Sequence, residues 1–505
     1  MKKTLNTIYD RVVDRKKFFF YSFLFITFIL TAEKKFIGVP KKAIIFTTLI
    51  VFLIILLWDK KKIENNVLVV TLIFGIIFSV ITPVFEVWDE PAHFTRVEYI
   101  SSGHLFLTNN KKDHFVSKDI NKLEEISRYT SRKKAVLPNT FEVKLWDYKH
   151  DSEEEYQFRV PVTNAYGTVA YLPSLLGFNI GKLISNGNLG VMFYLGRIFN
   201  AIFYSLCAFL AVKLSKRWKH ILAFFAMQPL LIYISGSFNQ DAFSYGILLL
   251  AISFFFRMIQ NVDEKVDNKD ILFFILLCAL MAFTKLPFIV FAGLVFFIPY
   301  RRFEDSKSYI MMLLGIVFVI LVSGIWFIYY SKVEGLPPLA DNVDSGEQIN
   351  FILSNPKEFI SLLFSSMFET ITKYTQLSAF AWDRQGSEVL GLVNLVTIGV
   401  IMMFPMKNVD LVSRWTKFGV VFISLLVTIL IYLSMYLTWT SVGDTHISGV
   451  QGRYFVGIII LLPVVLNSAK YLGNIKENKY TYLTPQVMAV ILLIWSFASR
   501  VGVYY

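Results

Sequence analysis

Long apolar runs recur along this chain, and they constrain its fold more than any other feature. They are read at residues 18–32, 43–58, 66–85, 189–212, 219–235, 242–259, 271–284, 286–299, 309–330, 389–405, 417–438, 454–469 and 486–503. Most match the ~20 residues that carry a helix across a ~30 Å hydrocarbon core. Backbone polar groups facing lipid must be paired within their own segment, so continuous runs specify helices. Barrel strands would alternate instead. The chain is 55% hydrophobic and 16% aromatic, more than a soluble domain can bury. The expected fold is an all-α integral membrane protein of about 13 transmembrane helices. The runs 271–284 and 286–299 are short enough to be one broken helix.

The net charge is +13, carried by short basic clusters beside apolar runs. That pattern fits positive-inside orientation and anionic lipid, and nucleic acid is not expected as a partner. Cys207 and Cys278 both lie in apolar runs, so neither a disulfide framework nor a CxxC metal site is expected. The basic N-terminus resembles a signal n-region, but no small-residue cleavage site follows, so a retained first helix is expected.

Orientation follows from the loops. Basic segments at 213–219, 300–302, 407–417 and 470–479 fall on one side when the spans alternate, and Lys60-Lys61-Lys62 joins them. That side is expected to be cytoplasmic, with the N-terminus inside and Asp89 outside. The loop from Glu33 to Lys42 carries four lysines on the outer side and breaks the pattern. Either the first two spans form a re-entrant hairpin or the rule fails locally.

Four units follow: 1–65, an N-terminal segment with two helices; 66–330, a membrane module holding an outer loop at 86–188; 331–388, a second outer loop; and 389–505, C-terminal helices. The end of the first loop, Tyr166 to Ile184, reads as an interfacial helix. In the second, Pro356 to Ile371 is amphipathic, with Asn355 as N-cap and Pro356 at the first helical position. Phe359, Leu362, Leu363, Phe364, Met367 and Phe368 would form its lipid face.

With this topology the unusual polar residues collect on the outer side. Trp88-Asp89-Glu90-Pro91-Ala92-His93-Phe94 follows the third span, with Arg96 two residues on. Arg197 lies near the outer start of the next span, and Asn239-Gln240-Asp241 in a later turn. Lys285 interrupts the short pair, Trp382-Asp383-Arg384 ends the second loop, and Gln451-Gly452-Arg453 precedes the twelfth span. Charge at a membrane edge is costly and marks function by default. Carboxylates beside a cleft take protons from hydroxyls, Arg and Lys hold phosphate, and Trp88, Tyr166 and Trp382 can stack on sugar faces. This combination fits a sugar carried on a lipid phosphate.

Each feature also has a plainer reading. Asp89-Glu90-Pro91 is a good helix start, and Asp89 or Glu90 with His93 is a helical surface pair. Lys285 can snorkel, Asp241 can cap a helix, and Arg453 can anchor at the interface. His93 has no visible second metal ligand.

The ordered set resembles a known family. An acidic pair in the first large outer loop resembles the GT-C superfamily of membrane glycosyltransferases. More narrowly, the chain from about residue 66 looks like the bacterial multi-spanning proteins grouped as domain of unknown function 2142. The matching pieces are Asp89-Glu90-Pro91-Ala92-His93-Phe94, Gly103, Arg197 with Asn200, and Ser237-Phe238-Asn239-Gln240-Asp241. Phe380-Ala381-Trp382-Asp383 and Gln451-Gly452-Arg453-Tyr454-Phe455 complete the order. Ala381 stands where glycine is expected, and a strict Asp-x-Asp is absent. An obligatory divalent metal is therefore not implied, although a metal is admitted.

The resemblance implies a GT-C-like bundle in a bacterial cell membrane that moves a sugar from a polyprenyl-phosphate donor to a cell-surface polysaccharide. It implies Asp89 as general base of an inverting transfer, with Glu90 secondary or supporting. Lys285 and Arg453 would hold the phosphate. His93, Arg96, Arg197, Asp241, Trp382 and Asp383 would bind substrate or shape its site. A flippase for lipid-linked glycan and a non-catalytic envelope assembly protein are the alternatives. The first would need charge near the bilayer midplane and pseudo-symmetric halves. The second would tolerate substitution of Asp89, Lys285 and Arg453.

Overall fold

The computed structural model describes residues 2–37, 41–108, 114–120, 145–150, 153–157, 160–215, 218–259, 264–333, 342–372, 388–403, 412–466 and 479–504. It is mainly helical, and each of the thirteen apolar runs falls wholly or largely on helical backbone. Among the described residues, six helices are long and apolar enough to cross a membrane: Ile63–Ile81, Leu189–Leu214, Asp241–Ile259, Ser306–Ser331, Arg414–Trp439 and Leu483–Val501. The other apolar helices are shorter.

Several runs differ in detail from simple spans. The run 219–235 is two helices, Lys219–Ala226 and Pro229–Ser235. Gln228 between them is extended (φ −64°, ψ 132°) and Pro229 starts the second, as expected where proline removes a helical donor. The run 286–299 is 3-10 helix over Leu286–Phe297, separated from the helix Asn268–Met281 by a turn around Lys285. Two short elements therefore meet at that lysine.

The first two helices, α1 (Lys2–Ile37) and α2 (Lys41–Leu57), form an antiparallel pair. Phe19 packs edge-on against Phe52, and Arg15 donates to the carbonyls of Leu56 (3.0 Å) and Trp58 (2.9 Å). The next helix, α3 (Ile63–Ile81), packs against Leu189–Leu214 and against the C-terminal helix Lys479–Tyr504. Asn66 donates to Gln486 at 2.9 Å across that last contact.

Polar side chains segregate to the two ends of the bundle. Lys219–Glu64 (2.6 Å) and Arg257–Asp270 (2.9 Å) pair at one end. The described parts of the basic segments, including Lys213, Arg301 and Arg414, lie at this end too. Asp89, Asp241, Lys285 and Arg453 lie at the other.

The loop 86–188 begins with α4 (Glu90–Ser101), a helix buried on nearly all sides. It also holds a small antiparallel sheet, Phe115–Ser117 against Glu154–Tyr156, so the fold is not helical throughout. The expected helix near its end is present as α5 (Leu172–Ile184), which exposes Leu176, Leu183 and Ile184. Its other face meets α6 (Leu189–Leu214) closely: a Cβ at Gly177 would lie 2.3 Å from the Leu195 carbonyl oxygen. Small residues four apart, Gly177 and Gly181, let the two backbones approach.

The amphipathic helix of the second loop runs from Pro356 to Thr372. Asn355 closes the helix before it, turning its backbone N–H and side-chain amide back to the Phe351 carbonyl (2.8 and 3.4 Å). The expected lipid face divides in two. Phe364 and Phe368 are exposed, but Leu363 is buried with Tyr432, Tyr436, Ile447 and Val450, and Phe359, Leu362 and Met367 pack around that cluster. The wide apolar stripe serves a second core as well as an open face.

Candidate functional site

The turn between α3 and α4 holds two non-glycine residues at positive φ, Phe85 (63°) and Asp89 (60°). Such conformations cost about 1–3 kcal/mol each and persist where the surroundings over-determine them. The over-determining group is Glu90. It is fully buried and accepts from Arg197 Nε (2.7 Å) and Nη2 (2.5 Å), and from the backbone N–H groups of Phe85 (3.1 Å) and Phe238 (3.1 Å). Arg197 uses its other donors on the carbonyls of Ser79, Thr82 and Pro83 at 2.7–3.0 Å. Every N–H of that guanidinium is committed. Glu90 and Arg197 therefore tie the end of α3, the start of α4 and the 236–240 turn together. Neither offers a free donor or lone pair to a ligand: Arg197, expected to contact substrate, spends its N–H groups on Glu90 and on backbone carbonyls.

Asp89 is held by this lock in a different environment. It occupies the N-cap position of α4 without capping it through its side chain. Instead its carboxylate is 38% exposed and lies 3.4 Å from Arg453 Nη2. Arg453 is in turn 3.6 Å from Asp241, which is 2.6 Å from Lys285 Nζ. Four charged residues from four distant parts of the chain thus form one cluster, two acids facing two bases. Asp241 also accepts from Gln240 Nε2 (2.9 Å), and Asn239 ties its backbone N–H to the Trp88 carbonyl (2.9 Å each). Lys285 is only 13% exposed and ion-paired rather than snorkelling.

Arg453 is 4% exposed, yet among the described residues its Nε and Nη1 have no hydrogen-bond partner. Lys285 Nζ likewise has, among the described residues, no partner beyond the ion pair. Aromatic rings enclose both cations: Trp88 and Tyr454 lie 5.0 and 5.4 Å from Arg453, and Tyr454 and Tyr245 lie 4.4 and 5.4 Å from Lys285. Cation–π contacts stabilise charge without consuming N–H donors. The cluster is therefore a buried set of cations with unused donors, which is what an incoming anion requires.

His93 lines the same region one turn into α4. Its Nδ1 is 2.8 Å from the Tyr171 hydroxyl and its ring lies against Tyr166. Burial lowers its pKa to about 4, with Asp89 and Asp241 opposing that shift, so the imidazole is neutral at pH 7. Burial also raises the Tyr171 hydroxyl well above the ordinary range. Arg96 stands apart from the cluster. It is buried, donates to the Leu105 carbonyl at 3.3 Å and lies over Tyr99. Trp382 and Asp383, expected to contact substrate, lie outside the described residues. Tyr171, Tyr245 and Tyr454 were not expected. Two carried a usable signal: Tyr454 adjoins Arg453, and Tyr245 sits four residues after Asp241 on the same helical face. Among the described residues, no three His, Cys, Asp or Glu side chains are grouped to hold a metal ion.

Fold and cluster together define a helical membrane protein with an ionic site at one end of its bundle. Comparison with protein families gives the class a label. The chain matches the family described as predicted membrane protein (DUF2142) over residues 72–462, and it belongs to that family. No curated protein and no solved structure matches it.

Proposed function

We propose that the chain is a glycosyltransferase of the GT-C type, moving a sugar from a polyprenyl-phosphate donor to a glycan outside a bacterial cell membrane. The observation that carries this reading is Arg453. It is buried, lies between Asp89 and Asp241, and has two nitrogens with no hydrogen-bond partner among the described residues. A guanidinium kept unsaturated at the end of a membrane bundle suits a lipid phosphate, and Lys285 adds a second positive charge. The half-exposed Asp89 beside them suits a general base.

In the proposed transfer Asp89 takes the proton from an acceptor hydroxyl. The hydroxyl oxygen forms a bond to the anomeric carbon as the bond from that carbon to the phosphate oxygen breaks. The electron pair leaves with the lipid phosphate, whose growing charge Arg453 and Lys285 stabilise. Attack opposite the leaving group inverts the anomeric centre. Glu90 and Arg197 set the backbone that presents Asp89, and His93 with Tyr166 and Tyr171 forms a polar wall.

The test is transfer from a labelled polyprenyl-phosphate sugar by the reconstituted protein, together with analysis of surface polysaccharide in cells. Asp89→Asn should insert and accumulate normally and lose transfer. Normal glycosylation by that variant refutes the reading. Lipid-linked sugar that crosses the bilayer without covalent transfer would replace it with transport.

A further inference from the structure

A sizeable cavity lies far from Asp89, at the other end of α3. A 19-residue helix spans about 28 Å, so the two sites face opposite ends of the bundle. The cavity has a volume of about 900 Å³ and sits between the α1–α2 pair, the start of α3 and the C-terminal helix. Its walls are apolar, with Phe18, Phe25, Ile54, Val490 and Ile494. Its mouth is basic, with Arg15, Lys60, Lys61 and Lys219. All of its lining except Lys219 falls outside residues 72–462, so it is built by segments flanking the family-matched region.

We propose that this cavity binds one anionic glycerophospholipid of the surrounding membrane. The charge balance argues for an anion. The lining holds Arg15, Lys60, Lys61 and Lys219 against Asp59, four cations to one carboxylate, and Asp14 and Glu64 beside it pair with Lys60 and Lys219 and leave a net positive charge. The mouth is also fixed in place. Arg15 is pinned by the carbonyls of Ile55, Leu56 and Trp58, and Asp59 accepts from the backbone N–H groups of Lys61 (2.8 Å) and Lys62 (3.1 Å) and from Asn65 Nδ2 (2.8 Å). That turn holds the lysine stems at the rim. A basic rim above an apolar hollow matches a phosphate above acyl chains, the arrangement by which basic pockets between membrane helices hold acidic lipid heads.

The test is native mass spectrometry of the full-length protein in detergent, titrated separately with phosphatidylglycerol and phosphatidylcholine of equal chain length. Phosphatidylglycerol should bind about tenfold more tightly. Lys60→Gln with Lys61→Gln should remove that preference and leave the fold intact, because the Lys60 side chain is 68% exposed. Val487→Trp, at a 40% exposed position lining the cavity, should abolish binding of both lipids by filling the space. Equal affinity for the two headgroups overturns the proposal, as does wild-type binding by either variant. Displacement of phosphatidylglycerol by an equimolar polyprenyl phosphate also overturns it, since the site would then belong to the carrier lipid. Each readout is independent of sugar transfer at the other end of the bundle.

Discussion

Glu90→Gln offers the sharpest test of how this site is built. The wild-type carboxylate is completely buried, receives a bidentate pair from Arg197, and terminates two further backbone N–H groups. Glutamine keeps the shape but removes the charge and turns one acceptor into a donor. That donor would face N–H groups already pointing at it. Arg197 is left as a buried cation with only carbonyl partners. Breaking one side of such a pair costs about 3–5 kcal/mol, a large part of the 5–15 kcal/mol that typically holds a domain together. Unfolding in mixed micelles, followed by tryptophan fluorescence, should register that loss. Glu90→Leu combined with Arg197→Met should cost less than the sum of its single variants by about 1–3 kcal/mol, because neither charge is then stranded. A Glu90→Gln protein of wild-type stability that had lost transfer would refute the reasoning and move Glu90 into the chemistry.

Three other outcomes follow from the same geometry. Asp89→Gly should gain about 1 kcal/mol by relieving the positive φ while transfer is lost, and Asp89→Asn should lose transfer with stability little changed; paired unfolding and transfer assays check both. His93 binds its proton less readily when folded, so the unfolded chain takes up more protons between pH 6.5 and about 4. Stability should therefore fall as pH drops through that window, by on the order of 3 kcal/mol, and a His93→Gln variant should lack this component when melting temperature is followed against pH. Gly196→Ala would bring a Cβ to 2.3 Å from the Phe238 ring, beside the N–H that Glu90 accepts, and should destabilise by about 1–3 kcal/mol in the same unfolding assay.

The helices were legible because lipid imposes a length and an unbroken apolar character on each span. Where that signal weakens, the sequence misleads. At Gln228-Pro229 the run stays apolar while the backbone turns. On Pro356–Thr372 one stripe of large side chains gives no clue which members face another helix. The charged cluster was legible as composition, since Asp89, Asp241, Lys285 and Arg453 each stand out at an apolar edge. Their pairing was not, because contacts across 364 positions leave no local trace. Among 25 tyrosines, Tyr245 and Tyr454 were marked only by their spacing from Asp241 and Arg453, and Tyr171 by nothing local.

The adjacent acids Asp89 and Glu90 carry the same chemistry in sequence, and the fold separates their roles. A left-handed residue at the start of α4 turns the first toward Arg453 and leaves the second beneath it. One carboxylate has all its acceptor capacity filled by four N–H donors. The other has, among the described residues, a single 3.4 Å partner, and it is partly exposed. A saturated buried acid contributes rigidity, whereas an unsaturated one at the surface retains a lone pair for a proton. The strain at Asp89 is intelligible on this division: it is offset by Glu90 and Arg197, and without that pair the backbone would have no reason to hold the first acid over the two cations.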